Sequence, residues 1–104
     1  VSSWATDARG HLLDVAAWTP EFAATAAAAE EIELGPGHWA IIRWLREQYA
    51  STGGVPTMRA LVRATGPLLG STESGTRLLY RLFPVAPLRQ ACRIAGLPKP
   101  ASCI

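Results

Sequence analysis

Eight prolines and nine glycines cut this 104-residue chain into short pieces, and the pieces between them read as helices. Proline lacks an amide hydrogen and fixes φ, so it suits a helix start and opposes a helix interior. Glycine at the far end supplies the left-handed residue on which many helices stop. Thr19-Pro20 reads as an N-cap with proline in the first turn, and the alanine-rich run 21–31 follows as a first helix. Gly35-Pro36-Gly37 breaks that helix and starts a second, where Trp39, Ile42, Leu45 and Tyr49 form an apolar stripe. Ser51-Thr52-Gly53-Gly54 ends it. Pro56 opens a third helix with Met58, Leu61 and Val62 inward, closing near Gly66. Residues 67–75 read as a loop and 76–82 as a short helix halted before Pro84. Residues 87–95 form the last helix, with Gly96 as its left-handed cap.

The two ends differ from this pattern. Residues 1–13 read as a strand pair around the turn Asp7-Ala8-Arg9-Gly10. Few residues precede that turn in a chain that opens on Val1, so a hairpin clipped at its start is expected. Pro98 and Pro100 exclude a helix from residues 97–104 and bias them to an extended, semi-rigid form. Six steps from Leu97 to Cys103 give the terminal thiol a reach of ~20 Å. The expected fold is mainly α with a little β. It is a single-domain bundle of about five helices spanning 1–104, with an N-terminal β-hairpin and an extended, mobile C-terminal arm.

Composition bounds the chemistry. The apolar fraction is 49%, yet 18 residues are alanine, so the four tryptophans matter for filling one core. No run approaches the ~18 apolar residues of a membrane span, and no signal peptide is read at the start. The net charge of +2 conceals a polarity. Residues 1–49 set seven acids against three arginines, a net −4, while 50–104 set six arginines and Lys99 against Glu73 alone, a net +6.

No serine–histidine–acid set, phosphate-binding glycine loop or carboxylate cluster is present, and the two cysteines are candidate reactive groups. Cys92 and Cys103 both lie in the last thirteen residues, unlike the spread cysteines of a disulfide scaffold. With His11 and His38 far upstream they match no metal-ligand spacing, and neither metal nor cofactor is expected. Cys103 reads either as an idle terminal residue or as a thiol carried on an arm. Cys92 reads either as a small buried helix residue or as a second thiol. In the second case Arg89 and Arg93, at i−3 and i+1, favour its thiolate if it is exposed; for Cys103, Lys99 favours the thiolate while the Ile104 α-carboxylate opposes it. An arm folded back over the last helix permits an intramolecular disulfide, hence an attack-and-resolve cycle. Arg59 and Arg63 stack at i,i+4 on the third helix. They read as solvated surface, or as a phosphate- or acid-binding face. The Gly53-Gly54 turn before them admits a helix-turn-helix DNA binder as a rival function. His38 reads as a packing or capping residue, and the tryptophans as packing.

The C-terminal motifs resemble those of the DsrC/TusE family of sulfur-carrier proteins. Leu79-Tyr80-Arg81-Leu82-Phe83-Pro84 is similar to the family's LYxLFP. The segment from Gln90-Ala91-Cys92 through Ala95-Gly96-Leu97-Pro98-Lys99-Pro100 to Cys103-Ile104 is similar to its terminal QACxxAGLPKPxxC[IV]. Upstream, His38-Trp39, Leu45-Arg46 with Tyr49, Pro56 with Arg59 and Leu61, Gly10 with Leu12, and Trp18 fall in family order.

The resemblance implies a cytoplasmic carrier acting as a co-substrate for other proteins, with persulfide sulfur on the penultimate cysteine, Cys103. Cys92 sits where DsrC proper has its second cysteine and TusE-type members have none. It implies exchange with DsrEFH- or TusBCD-type relay proteins, partnership with dissimilatory sulfite reductase, and a trisulfide between the two cysteines. For a TusE-type member it implies relay toward tRNA wobble-uridine thiolation instead. A redox-regulated interaction module is a further alternative. Several positions depart from the family pattern: His11 for an aromatic, Gly35-Pro36 for a Thr or Ser cap, Ser74-Gly75-Thr76 for Gly-Asn-Ser, Ala86-Pro87 for Gly-Pro and Leu88-Arg89 for Ala-Lys. These are expected on surfaces that meet partners.

Overall fold

The computed structural model describes residues 4–100. Among them, a 3-10 turn at Val15–Ala17 precedes five α-helices: α1 Pro20–Ala29, α2 Pro36–Thr52, α3 Met58–Leu69, α4 Gly75–Leu82 and α5 Pro87–Ile94. The mainly helical fold is the expected one. Local capping accounts for most of the starts. Thr19, Thr57 and Ser74 each accept the amide three residues on, and proline occupies the first turn of α1, α2 and α5. Gly35 has no side chain to cap α2, and His38 serves instead. Its Nδ1 accepts the Gly35 amide at 3.0 Å, and its Nε2–H donates to the Leu82 carbonyl at 2.9 Å. His38 is therefore a capping residue that also ties α2 to the end of α4.

Three segments differ from the sequence reading. Helix α1 stops at Ala29 because Glu31 turns left-handed, with φ 60°, and Ile32 donates back to Ala27 at 2.8 Å. That reversal drops Ile32 into the core. Helix α3 starts after the Thr57 cap rather than at Pro56, and it runs through Pro67 to Leu69. In the last turn the proline forfeits a single bond, and Gly70 and Ser71 donate to Pro67 and Gly66 to close the end. At the N-terminus the turn forms at Asp7–Gly10, but the hairpin shrinks to one antiparallel bridge, Thr6 to Leu12, with no longer strand among the described residues. Residues 1–3 of the expected hairpin lie outside the described residues.

The core is built around the shortest helices. Helix α5 buries Pro87, Leu88, Gln90, Ala91, Cys92 and Ile94, and α1, α2 and α4 pack on it, while α3 rests on α2 and α4. Helix α1 presents Phe22 together with Ala23, Ala26 and Ala27, and the three small alanines let it lie close to α5. Helix α2 contributes Ile41, Ile42 and Leu45, each worth ~2 kcal/mol of burial, with Trp39 and Tyr49 at the margin. Trp4 meets Phe22 edge-on at 5.3 Å. Gly75 opens α4 so close to the Val62 carbonyl that a Cβ has no room, which brings α3 and α4 together.

Candidate functional site

The cysteine-bearing segment leaves α5 through a hydrogen-bonded turn. Gly96 is left-handed, with φ 74°, and the amides of Gly96 and Leu97 donate to the carbonyls of Arg93 (3.2 Å) and Cys92 (2.9 Å). This is a Schellman motif, and it leaves the carbonyls beyond Arg93 without helical partners. Side chains from distant elements take them. Trp18 Nε1–H donates to Ile94 at 2.9 Å, Arg46 Nη1 to Ala95 at 2.7 Å and His11 Nδ1–H to Leu97 at 3.1 Å. Arg46 also donates to Val15 at 3.1 Å and lies over the Trp18 ring, 4.4 Å from its centroid. Burial lowers the Arg46 pKa from its ordinary value, yet guanidinium remains a cation at neutral pH.

Leu97, expected to lead a free arm, is instead fully buried and bonded at both its amide and its carbonyl. Pro98 to Pro100 carry no helix, as expected, with Lys99 exposed and Pro100 buried. The predicted reactive thiol Cys103, with the rest of 101–104, lies outside the described residues. Its support by Lys99 stays an expectation.

Cys92 is a free thiol with 0% exposure, and burial pushes its pKa up to about 12. At neutral pH the thiolate is then a very small minority while the site is closed. Arg89 and Arg93 face a carboxylate rather than an exposed thiol. Glu30, the C-cap of α1, lies 2.6 Å from Arg93 and 3.6 Å from Arg89 and accepts Gln90 Nε2 at 3.1 Å. Gln90 Oε1 in turn accepts the amides of Val85 and Ala86, capping α5 where Ala86 has no side chain to do so. Part of the C-terminal positive charge is thus neutralised internally. Arg81 pairs with Glu73 at 2.9 Å, while Arg59, Arg63 and Arg77 are exposed.

Burial alone would raise the Glu30 pKa. Hydrogen bonds from Gln90 and Arg93 and the charges of Arg89 and Arg93 outweigh it and hold the carboxyl below its ordinary 4.5. A depressed folded value means stability that is present above pH 4.5 and is lost as pH falls through the folded value. Glu30→Gln is expected to cost about 2 kcal/mol at pH 7, with the gap to wild type closing below pH 4.5. Urea midpoints measured from pH 7 to pH 3 check this. A gap that is constant with pH contradicts it.

The departures from the family pattern do not all fall on outer surfaces. His11 is buried at 1% exposure and Leu88 at 3%, and Gly75 lies at the α3–α4 contact. Their reason is packing. The carbonyl-binding roles of His11, Trp18 and Arg46 were not visible in the sequence. A left-handed Gly96 signals orphan carbonyls nearby, but their donors stand 49 to 86 residues away along the chain.

No helix among the described residues is long and apolar enough to cross a membrane. The family model for DsrC like proteins matches residues 2–104. The sulfurtransferase TusE of Salmonella typhimurium is 43% identical over 99 residues, covering 95% of this chain and 91% of that protein. The solution structure of Allochromatium vinosum DsrC matches with a TM-score of 0.85 at 42% identity, covering 97% of this chain and 90% of that one. The oxidized gamma-subunit of the dissimilatory sulfite reductase (DsrC) from Archaeoglobus fulgidus matches with a TM-score of 0.83 at 36% identity, covering 97% and 92%. A family match over nearly every residue, joined to the terminal cysteine motif on its clamped turn, places this chain in the DsrC family.

Proposed function

We propose that the protein is a sulfur carrier that takes up sulfane sulfur on Cys103 and resolves it with Cys92. The observation that carries this reading is the retention of Cys92 as a free thiol in α5, eleven residues before Cys103. In the first step the Cys103 thiolate attacks the terminal sulfur of a donor protein's persulfide. The donor S–S bond breaks, the donor cysteine leaves as thiolate, and Cys103 becomes the persulfide. In the second step Cys92, deprotonated on exposure, attacks Sγ of Cys103. The bond from Sγ to the outer sulfur breaks, and hydrosulfide leaves with both electrons of that bond. The outer sulfur is reduced, and the two cysteine sulfurs are oxidised to a disulfide.

The A. fulgidus relative is the gamma-subunit of a dissimilatory sulfite reductase, which supports a reductase of that kind as a partner. The resemblance adds DsrEFH- or TusBCD-type proteins as sulfur exchangers and a cytoplasmic setting. The 43% identity to TusE supports a second reading, relay toward tRNA thiolation, in which Cys92 has no part. The paired thiols favour the first. Lys99, Arg89 and Arg93 would contribute positive charge for docking and for thiolate at the moment of exchange.

Cys92→Ala distinguishes the two. With no added thiol, persulfide-loaded wild type is expected to release hydrosulfide and close a disulfide, while loaded Cys92→Ala keeps its persulfide and releases at least about tenfold less. A sulfide electrode and intact mass measure both. Equal release from Cys92→Ala would exclude the resolving role.

A further inference from the structure

Resolution at Cys92 requires a way in, and the described residues offer none: the side chain has no exposure. The turn that follows it is the point where the fold can give. The carbonyl of Cys92 itself is held by the Leu97 amide, and Leu97, wholly buried in the same apolar cluster, is held in turn by His11. Trp18 and Arg46 hold two of the carbonyls between them, those of Ile94 and Ala95. The three donors come from the segment before α1 and from α2, so none belongs to α5. They are coupled, since Arg46 stacks on Trp18 and Trp18 packs against Gly96. His11 is less firmly satisfied. Its Nδ1–H serves Leu97, while its buried Nε2 has no partner among the described residues. A Schellman turn secured mainly by remote side chains can detach without unfolding the helix bundle behind it.

We propose that Arg46, Trp18 and His11 are positioning residues that gate Cys92. While they grip the Ile94–Leu97 turn, Cys92 is sealed, and when the grip is released the thiol opens to Cys103. The proposal rests on the reading that Cys92 resolves. It adds which residues set when that happens. Sulfur taken up on Cys103 would be kept from premature discharge until the turn opens, so the clamp sets the lifetime of the loaded state.

The test reads Cys92 directly and does not depend on sulfur loading. In a Cys103→Ala background Cys92 is the only thiol, and its alkylation by N-ethylmaleimide is followed by intact mass at increasing urea below the global transition. With the clamp intact, labelling is expected to be slow, with a urea slope well below that of global unfolding. Arg46→Met and Trp18→Phe are expected to raise the rate at least about tenfold with the same shallow slope, and Arg46→Lys, which restores a donor, to recover part of the protection. Should Arg46→Met fail to fold, Trp18→Phe and the slope of the clamp-intact protein still decide. Labelling that follows the full global slope in the clamp-intact protein would overturn the gate. So would variants that label no faster than that protein. Loss of the carrier function itself would appear separately, as absence of persulfide on Cys103 with the labelling rates unchanged.

Discussion

Gly96→Ala is expected to lower the stability of the protein by about 2–5 kcal/mol, a large share of the 5–15 kcal/mol typical of a domain this size. Two costs combine at this position. The backbone is left-handed, with φ 74°, where a Cβ costs about 1–2 kcal/mol against its own carbonyl. The added carbon also meets the Cβ and ring of Trp18, which cannot retreat without breaking its bond to Ile94 and its stacking with Arg46. Overpacking of this kind adds about 1–3 kcal/mol. A thermal midpoint about 10 °C or more below wild type is expected, and calorimetry measures it. A midpoint within about 2 °C of wild type would contradict the clamped turn. The substitution falls inside the terminal motif, so the same change joins the fold to the reactive end of the chain.

Much of the architecture is legible in the punctuation of the chain. Pro20, Pro36 and Pro87 stand in the first turns of their helices, Gly53 and Gly96 end two of them, and Thr19 caps as expected. These features work within three or four residues, so short windows reveal them. The misreadings arise where position within the helix or a distant part of the chain decides. Pro67 looks like a stop, yet in the last turn it costs a single bond. The alanine run looks helical to Glu31, yet burial of Ile32 draws the chain into a left-handed turn first.

The candidate site divides along the same line. Cys92 and Cys103 are visible as residues, and the family resemblance is what suggests that they work as a pair. The depth of Cys92, the pairing of Arg89 and Arg93 with Glu30, and the grip of His11, Trp18 and Arg46 all depend on contacts across the fold. The imbalance between an acidic first half and a basic second half therefore describes, in part, two halves that bind each other.

The second large effect concerns where sulfur enters. Cys92 has no exposure and a pKa near 12, so in the closed protein it cannot compete for a donor's sulfur. The chain holds one other cysteine, Cys103. On the proposed reading loading begins there, and removing it leaves only the buried thiol of Cys92. The most direct measurement is intact-mass and peptide mass spectrometry after exposure to a persulfide donor. Wild type is expected to gain about 32 Da on the C-terminal peptide bearing Cys103, and Cys103→Ala to gain none. Loading of Cys103→Ala to the wild-type level, or a gain found on Cys92 alone, would contradict the account.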